Sequence, residues 1–172
     1  MSIQELMSVV KAPSRPLETG DKRAWAKLEA DLGLQLPSDL YEFGLHYGTG
    51  RFWQGEIEVL NPFSKLYHKF LESEINRLRL ARELGLDVPY ESYPKRPGLF
   101  PWGRVDGGTM YWLTDGQPEF WPIVLQKIRP SEWERLEMPM TTFLAKALKN
   151  ELKCLLWESL PPEACNFESR KS

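Results

Sequence analysis

The chain has 172 residues, a formal net charge of −2 from 22 basic and 24 acidic residues, and a hydrophobic fraction of 42%. That length suffices for one self-sufficient domain spanning 1–172, since a domain of about 150 residues already buries roughly 68–70% of the surface its unfolded chain exposes. The near balance of charge provides no overall field to draw in a polyanion, so nucleic acid is not expected as a partner.

The first ten residues lack a basic leader and an apolar run long enough for a signal peptide, and no later stretch approaches a membrane span. No membrane partner is expected, and the cytoplasm is the expected location. Cys154 and Cys165 do not form the framework of a small secreted domain. They read as half-buried free thiols, with a bond between them left open by their spacing.

Residues 1–20 read as a short amphipathic segment followed by a linker with Pro13, Pro16 and Gly20, ahead of a core at about 21–157. Trp25, Leu28 and Leu32 recur on one helical face, and Gly33 is placed to cap that helix in the left-handed region. Leu36-Pro37-Ser38-Asp39 opens a second helix carrying Leu40, Phe43 and Tyr47, which Gly48 and Gly50 stop. Over 51–60 the period changes: Phe52, Ile57 and Val59 alternate with Arg51, Glu56 and Glu58, predicting a half-exposed strand broken at Gln54-Gly55.

Tyr67, Leu71, Ile75 and Leu78 then mark a long helix over about 64–85. The next stretch, with Pro89, Pro94 and Pro97, is too proline-rich for regular structure. Three strands are predicted at 98–102, 108–114 and 119–126, joined by tight turns at Asp106-Gly107 and Asp115-Gly116. Residues 131–137 fit a short strand or a helical turn equally well. Pro139 precedes Phe143, Leu144, Ala147 and Leu148, then Leu152 and Leu155, predicting a helix that ends by Pro161-Pro162. The polar segment 162–172 is expected to fray.

Chemistry-bearing patterns are sparse. His46 and His68 fall within predicted helices with no sign of a converging nucleophile and carboxylate. Candidate metal ligands are scattered, unlike the short spacings of a structural zinc site. Gly103-Arg104-Val105-Asp106-Gly107-Gly108 is followed by a strand pattern, whereas a phosphate cradle opens into a helix, so no cofactor is expected. Asp106 and Asp115 each precede glycine and read first as turn residues. Trp25, Trp102, Trp112 and Trp121 lie in periodic elements and read as core; Trp53 and Tyr93, in irregular stretches, are candidates for exposed contact.

Taken in order, Trp25, Leu28 and Leu32-Gly33, then Leu36-Pro37-Ser38-Asp39 with Phe43 and Tyr47-Gly48, then Phe100-Pro101-Trp102-Gly103, Asp106-Gly107-Gly108, Tyr111-Trp112, Trp121-Pro122 and Phe143-Leu144 form a recognisable series. The series resembles the SUKH superfamily, which includes immunity proteins of bacterial polymorphic toxin systems and fungal regulators of cell-wall synthesis. The likeness spans roughly 21–150. Gly108 departs from the acidic or amide residue often found there, and the helix at 64–85 and the stretch after 150 look like added length.

The resemblance implies an α+β fold, with N-terminal helices packed on a largely antiparallel β-sheet, a long inserted helix and a C-terminal helix. It also implies structural roles for Trp25, Leu36, Pro37, Phe43, Gly48, Trp102, Gly103 and Trp112, and binding without catalysis. The implied partner is a cognate toxin or another protein, neutralised by surface contact; the alternative is a regulatory scaffold docking on signalling partners. Candidate contact residues are Arg51, Trp53, Tyr90, Glu91, Tyr93 and Arg104, with Glu56, Glu58, Asp106 and Asp115 as phosphate mimics should the toxin be a nuclease with a basic cleft. Oligomeric state is left open.

Overall fold

A computed structural model describes residues 3–53, 56–129 and 131–171. Its helices are α1 (Ile3–Val9), α2 (Lys22–Leu32), α3 (Ser38–His46), α4 (Tyr67–Glu83) and α5 (Met140–Leu148). Its strands are β1 (Gly50–Phe52), β2 (Ile57–Val59), β3 (Leu99–Val105), β4 (Gly108–Leu113), β5 (Ile123–Lys127), β6 (Glu132–Leu136) and β7 (Phe167–Ser169). Among the described residues these strands form one antiparallel sheet in the order β6-β5-β4-β3-β2-β1-β7. The fold is α+β, with helices packed on that sheet.

Local chemistry accounts for the helix ends. The Asp21 carboxylate accepts the Ala24 N–H at 2.7 Å, which satisfies one orphan donor at the start of α2, and Gly33 at φ +60° closes its last turn. Tyr47 ends α3, and Gly48 at φ +65° turns the chain so that it bridges Leu17 and enters β1. The stretch read as a linker is therefore pinned: the Thr49 N–H donates to the Leu17 carbonyl at 2.9 Å.

The sheet's two faces follow the period-two alternation of its strands. Phe100, Trp102, Met110, Trp112, Ile123 and Leu125 share a core with Ile3 and Leu6 of α1, Leu40 and Phe43 of α3, and Phe143 and Leu144 of α5. Leu99, Tyr111, Leu113 and Val124 point to the opposite face and cluster with Leu78 of α4 and Val88. Beside them Arg77 donates to Glu74 at 2.5 Å, to the Tyr111 hydroxyl at 2.8 Å and to Gln126 at 2.5 Å, and Tyr111 donates to Glu74.

One irregularity in β3 decides where its later side chains point. The β3–β4 register shifts between Pro101 and Gly103, leaving Trp102 as an extra residue. Strict alternation from Phe100 and Trp102 would place Arg104 on the face of α1, α3 and α5. The bulge reverses the parity, so Gly103 lies opposite Met110 and Arg104 faces the α4 side.

Several expectations are corrected. The strand expected at 119–126 starts only at Ile123, because Pro118–Phe120 forms a 3-10 turn whose Glu119 carboxylate accepts the Ser38 N–H and hydroxyl at 2.9 and 2.7 Å. The β4–β5 connection is accordingly not a tight turn at Asp115-Gly116. Helix α5 stops at Leu148 and does not include Leu152 and Leu155: Asn150 takes φ +58°, and its amide holds the Leu160 backbone through bonds of 2.9 and 2.7 Å. The ambiguous 131–137 resolves as β6.

The tail expected to fray instead carries a 3-10 turn (Pro162–Cys165) and β7, whose Phe167 packs on Phe43, Tyr47 and Phe52 at ring separations of 6.2, 5.1 and 4.9 Å. The break read at Gln54-Gly55 lies outside the described residues. Tyr93 is half-buried: its hydroxyl donates to the Leu32 carbonyl at 2.5 Å and its ring meets Phe100 edge-on. Trp53 is likewise half-buried against the main core.

Candidate functional site

One cross-strand row runs across the α4 face of the sheet. Paired residues take it from Glu168 of β7 through Arg51, Glu58, Arg104, Thr109 and Gln126 to Trp133 of β6. Toward β6 it is covered by α4 and the Glu74–Arg77–Tyr111 network. Toward β7 it borders a groove beside the first turns of α4.

Within that groove the Arg104 guanidinium donates to Glu58 at 2.5 Å and lies over the Phe70 ring, 5.1 Å from its centroid. Arg51 reaches the other Glu58 oxygen at 3.8 Å. Two adjoining hollows of about 260 and 210 Å3 share Thr49, Glu58, Ser64 and Leu66. Leu66 stands at the rim with 53% of its surface exposed, and Arg170 and Lys171 of the C-terminal segment line the far side. A buried polar set holds the floor: Thr49 donates to Glu18 at 2.6 Å, and the Asn61 amide donates to Thr49 at 2.7 Å and to the Glu18 carbonyl at 3.0 Å.

The fold brings Arg51, Glu58 and Arg104 together and distributes the other sequence candidates between the two ends of the strands. Trp53 and Glu56 follow β1, and Asp106 sits in the adjacent β3–β4 turn, so these three lie at the end nearest the groove. Tyr90, Glu91, Tyr93 and Asp115 lie at the opposite end, around the start of β3 and the exit of β4. The acidic candidates therefore do not share one face. Glu58 is engaged by two arginines, and Glu91 pairs with Arg82 at 2.5 Å and Lys95 at 3.2 Å, which hold its carboxyl below the usual range.

Sequence reasoning missed Leu66, Phe70, Arg170 and Lys171 as groove residues. Leu66 falls just before the helical stripe, and the adjacent basic pair lies in a segment whose strand character comes only from pairing with β1. Their signals were an apolar residue off the stripe and two consecutive cations.

A separate cleft of about 480 Å3 opens where α3, the 118–120 turn and the start of α5 meet. Trp112, Trp121, Met138 and Met140 contribute apolar lining, Phe120 stands 75% exposed, and the acidic residues there are Asp39, Glu119 and Glu137. Burial pushes the Asp39 carboxyl upward, against the Thr141 N–H that donates to it at 3.1 Å. Elsewhere His46 sits 3.7 Å from Glu42 on α3, and His68 lies edge-on to the Tyr67 ring. Both cysteines are free, and burial pushes both thiols up, away from the reactive thiolate form. Among the described residues no three or more His, Cys, Asp or Glu are grouped to hold a metal, and no helix is long and apolar enough to cross a membrane.

The geometry therefore offers a charged, partly apolar groove of the kind that binds a partner. The structural positions implied by the sequence series are placed accordingly: Trp25, Leu36, Pro37, Phe43, Trp102 and Trp112 are buried, Gly48 makes the turn into β1, and Gly103 lies at the bulge. Comparison with curated proteins gives no match, and neither does comparison with solved structures. A family model, by contrast, matches residues 20–146, which include α2 to α4, β1 to β6 and most of α5. The chain belongs to the SMI1 / KNR4 family (SUKH-1).

Proposed function

We propose that this chain is an immunity-type protein that neutralises a cognate toxin domain in the cytoplasm by non-covalent surface binding, without catalysis. The family's immunity and regulatory proteins act through protein binding. The observation that carries the reading is the convergence of Arg51, Glu58 and Arg104 beside exposed Leu66 in an open groove. Arginine-rich surfaces with an apolar anchor are the usual centres of protein interfaces, and a stable complex covers roughly 800 Å2 of each partner. The proposed patch is centred on this groove and continues over Trp53, Glu56 and Asp106 at the adjoining strand ends. Tyr90, Glu91, Tyr93 and Asp115 would form its outlying contacts at the opposite end.

Growth rescue tests the proposal. A toxin domain found encoded beside this gene is expressed with and without the protein, and the pair is recovered from surviving cells; a gene neighbourhood without one would favour regulatory docking. Rescue with a stable one-to-one complex is expected. No rescue from a toxin that kills alone would overturn neutralisation and leave regulatory docking.

A further inference from the structure

We infer that the groove between β1–β3, the start of α4 and the C-terminal segment binds an extended acidic segment of a partner protein, in which carboxylates alternate with aliphatic side chains. This inference deepens the binding reading above and rests on it for the partner's biological role, though not for its chemistry.

Charge segregation is the first observation. The chain as a whole carries −2, yet the two hollows are lined by Arg51, Lys69, Arg104, Arg170 and Lys171 against Glu58, with the Glu18 carboxylate in the floor and Glu168 beside Arg51, so that cations outnumber acids. Glu58 is occupied by Arg104 at 2.5 Å and neighboured by Arg51 at 3.8 Å. Lys69, Arg170 and Lys171 have no carboxylate partner among the described residues. Positive charge without compensation in a concave site favours an anionic occupant and rejects a basic one.

Shape is the second observation. The cations are spread over two adjoining hollows with Leu66 shared between them and Phe70 against the wall. A lone phosphate would engage one centre and leave Leu66 unused. A linear segment with acids spaced by aliphatic residues meets both hollows and covers Leu66, which is 53% exposed. The carboxylates have guanidinium partners able to bind them in bidentate fashion.

The site is also held in place before any partner arrives. Arg170 donates its backbone N–H to the Thr49 carbonyl at 3.1 Å, so the segment bearing the basic pair is registered against β1. The Glu18–Thr49–Asn61 hydrogen bonds fix the floor. A preformed groove lowers the ordering cost of binding.

The test uses the full chain and a fluorescein-labelled peptide of alternating Asp, Leu and Glu, with a Lys-and-Leu peptide of equal length and a single-stranded deoxyoligonucleotide as comparators. Saturable binding of the acidic peptide is expected, weakened by roughly tenfold or more in Arg104→Glu and in the Arg170→Glu/Lys171→Glu double variant. The double variant alters exposed side chains at the end of β7, and urea unfolding of each variant verifies the fold. Equal binding of the basic peptide, unchanged affinity in folded charge-reversed variants, or no acidic-peptide binding would overturn the inference. Tighter binding of the oligonucleotide would overturn it too, by assigning the groove to a nucleic acid. No toxin is needed, so acidic-peptide binding alongside failed growth rescue would support the groove chemistry while refuting only neutralisation.

Discussion

Tyr111 donates its phenolic hydrogen to the Glu74 carboxylate, joining the middle of β4 to the middle of the helix that forms the groove wall. Arg77 closes the set by donating to both residues and to Gln126. Truncating Glu74 to Ala should cost about 2–4 kcal/mol, because Tyr111 and Gln126 are buried and Arg77 loses its counter-charge; Arg77 is about one-third exposed, which favours the lower end. Tyr111→Phe, which leaves the ion pair intact, should cost only about 1–2 kcal/mol. Urea unfolding of both variants and the double mutant gives the coupling; additive losses would show that the hydrogen bond is energetically idle.

Alkaline stability follows from the same burial. Burial pushes Tyr47 up to about 12, and raises Tyr67, Tyr93 and Tyr111 as well, with the Glu74 charge adding to the effect at Tyr111. These groups hold their protons in the fold more tightly than in the unfolded chain, whose tyrosines ionise near about pH 10. The stabilisation is therefore complete below that pH and is lost as pH rises toward the folded values. Urea midpoints should fall steeply above about pH 10, and tyrosinate absorbance should rise together with unfolding. A stable fold in which all tyrosines titrate freely near pH 10 would refute this.

Phe167 is only 8% exposed and sits among Phe43, Tyr47 and Phe52. Phe167→Ala should destabilise by roughly 3–5 kcal/mol, the usual cost of a large-to-small change among buried aromatic rings. Deleting 162–172 should cost at least as much and uncover β1. Thermal unfolding checks both, and a truncated chain as stable as the full one would mean that β7 contributes nothing.

Gly48 takes φ +65°, and a Cβ there would lie 2.2 Å from the Leu17 carbonyl oxygen. Gly48→Ala should therefore cost at least about 2 kcal/mol, since the left-handed conformation is strained for alanine and the obstacle is backbone. Gly107 also has a positive φ but no atom in its way, so Gly107→Ala should cost less. Comparing their denaturation midpoints isolates the clash from the φ strain.

Arg104→Ala removes the pairing with Glu58 and the contact with Phe70, both at a half-exposed site. Stability should change by less than about 1 kcal/mol, whereas partner capture should weaken by about tenfold or more if Arg104 is a central anchor. Calorimetry with the captured partner, beside a melting curve, separates the effects. Undiminished capture would remove Arg104 from the interface.

The main helices, apart from the end of α5, and the hairpin at Asp106-Gly107 are legible in the residues alone, because a 3.6-residue apolar stripe can be buried only as a helix and an Asp-Gly step favours a tight reversal. The sequence also marked the four buried tryptophans, whose large apolar area demands a core. The groove, by contrast, arises from packing and strand register. Arg104 reaches Glu58 because the Trp102 bulge reverses side-chain parity; Pro101 and Gly103 flank it as residues suited to a bulge, but the pairing of β3 with β4 fixes which position is left over. The end of the chain looked polar and loose because its single large apolar residue, Phe167, has no periodic company. Its burial depends on aromatic rings from α3 and β1, more than a hundred positions earlier in the sequence. Local pattern records what a residue must bury or turn; cross-strand register and distant packing decide which side chains finally meet.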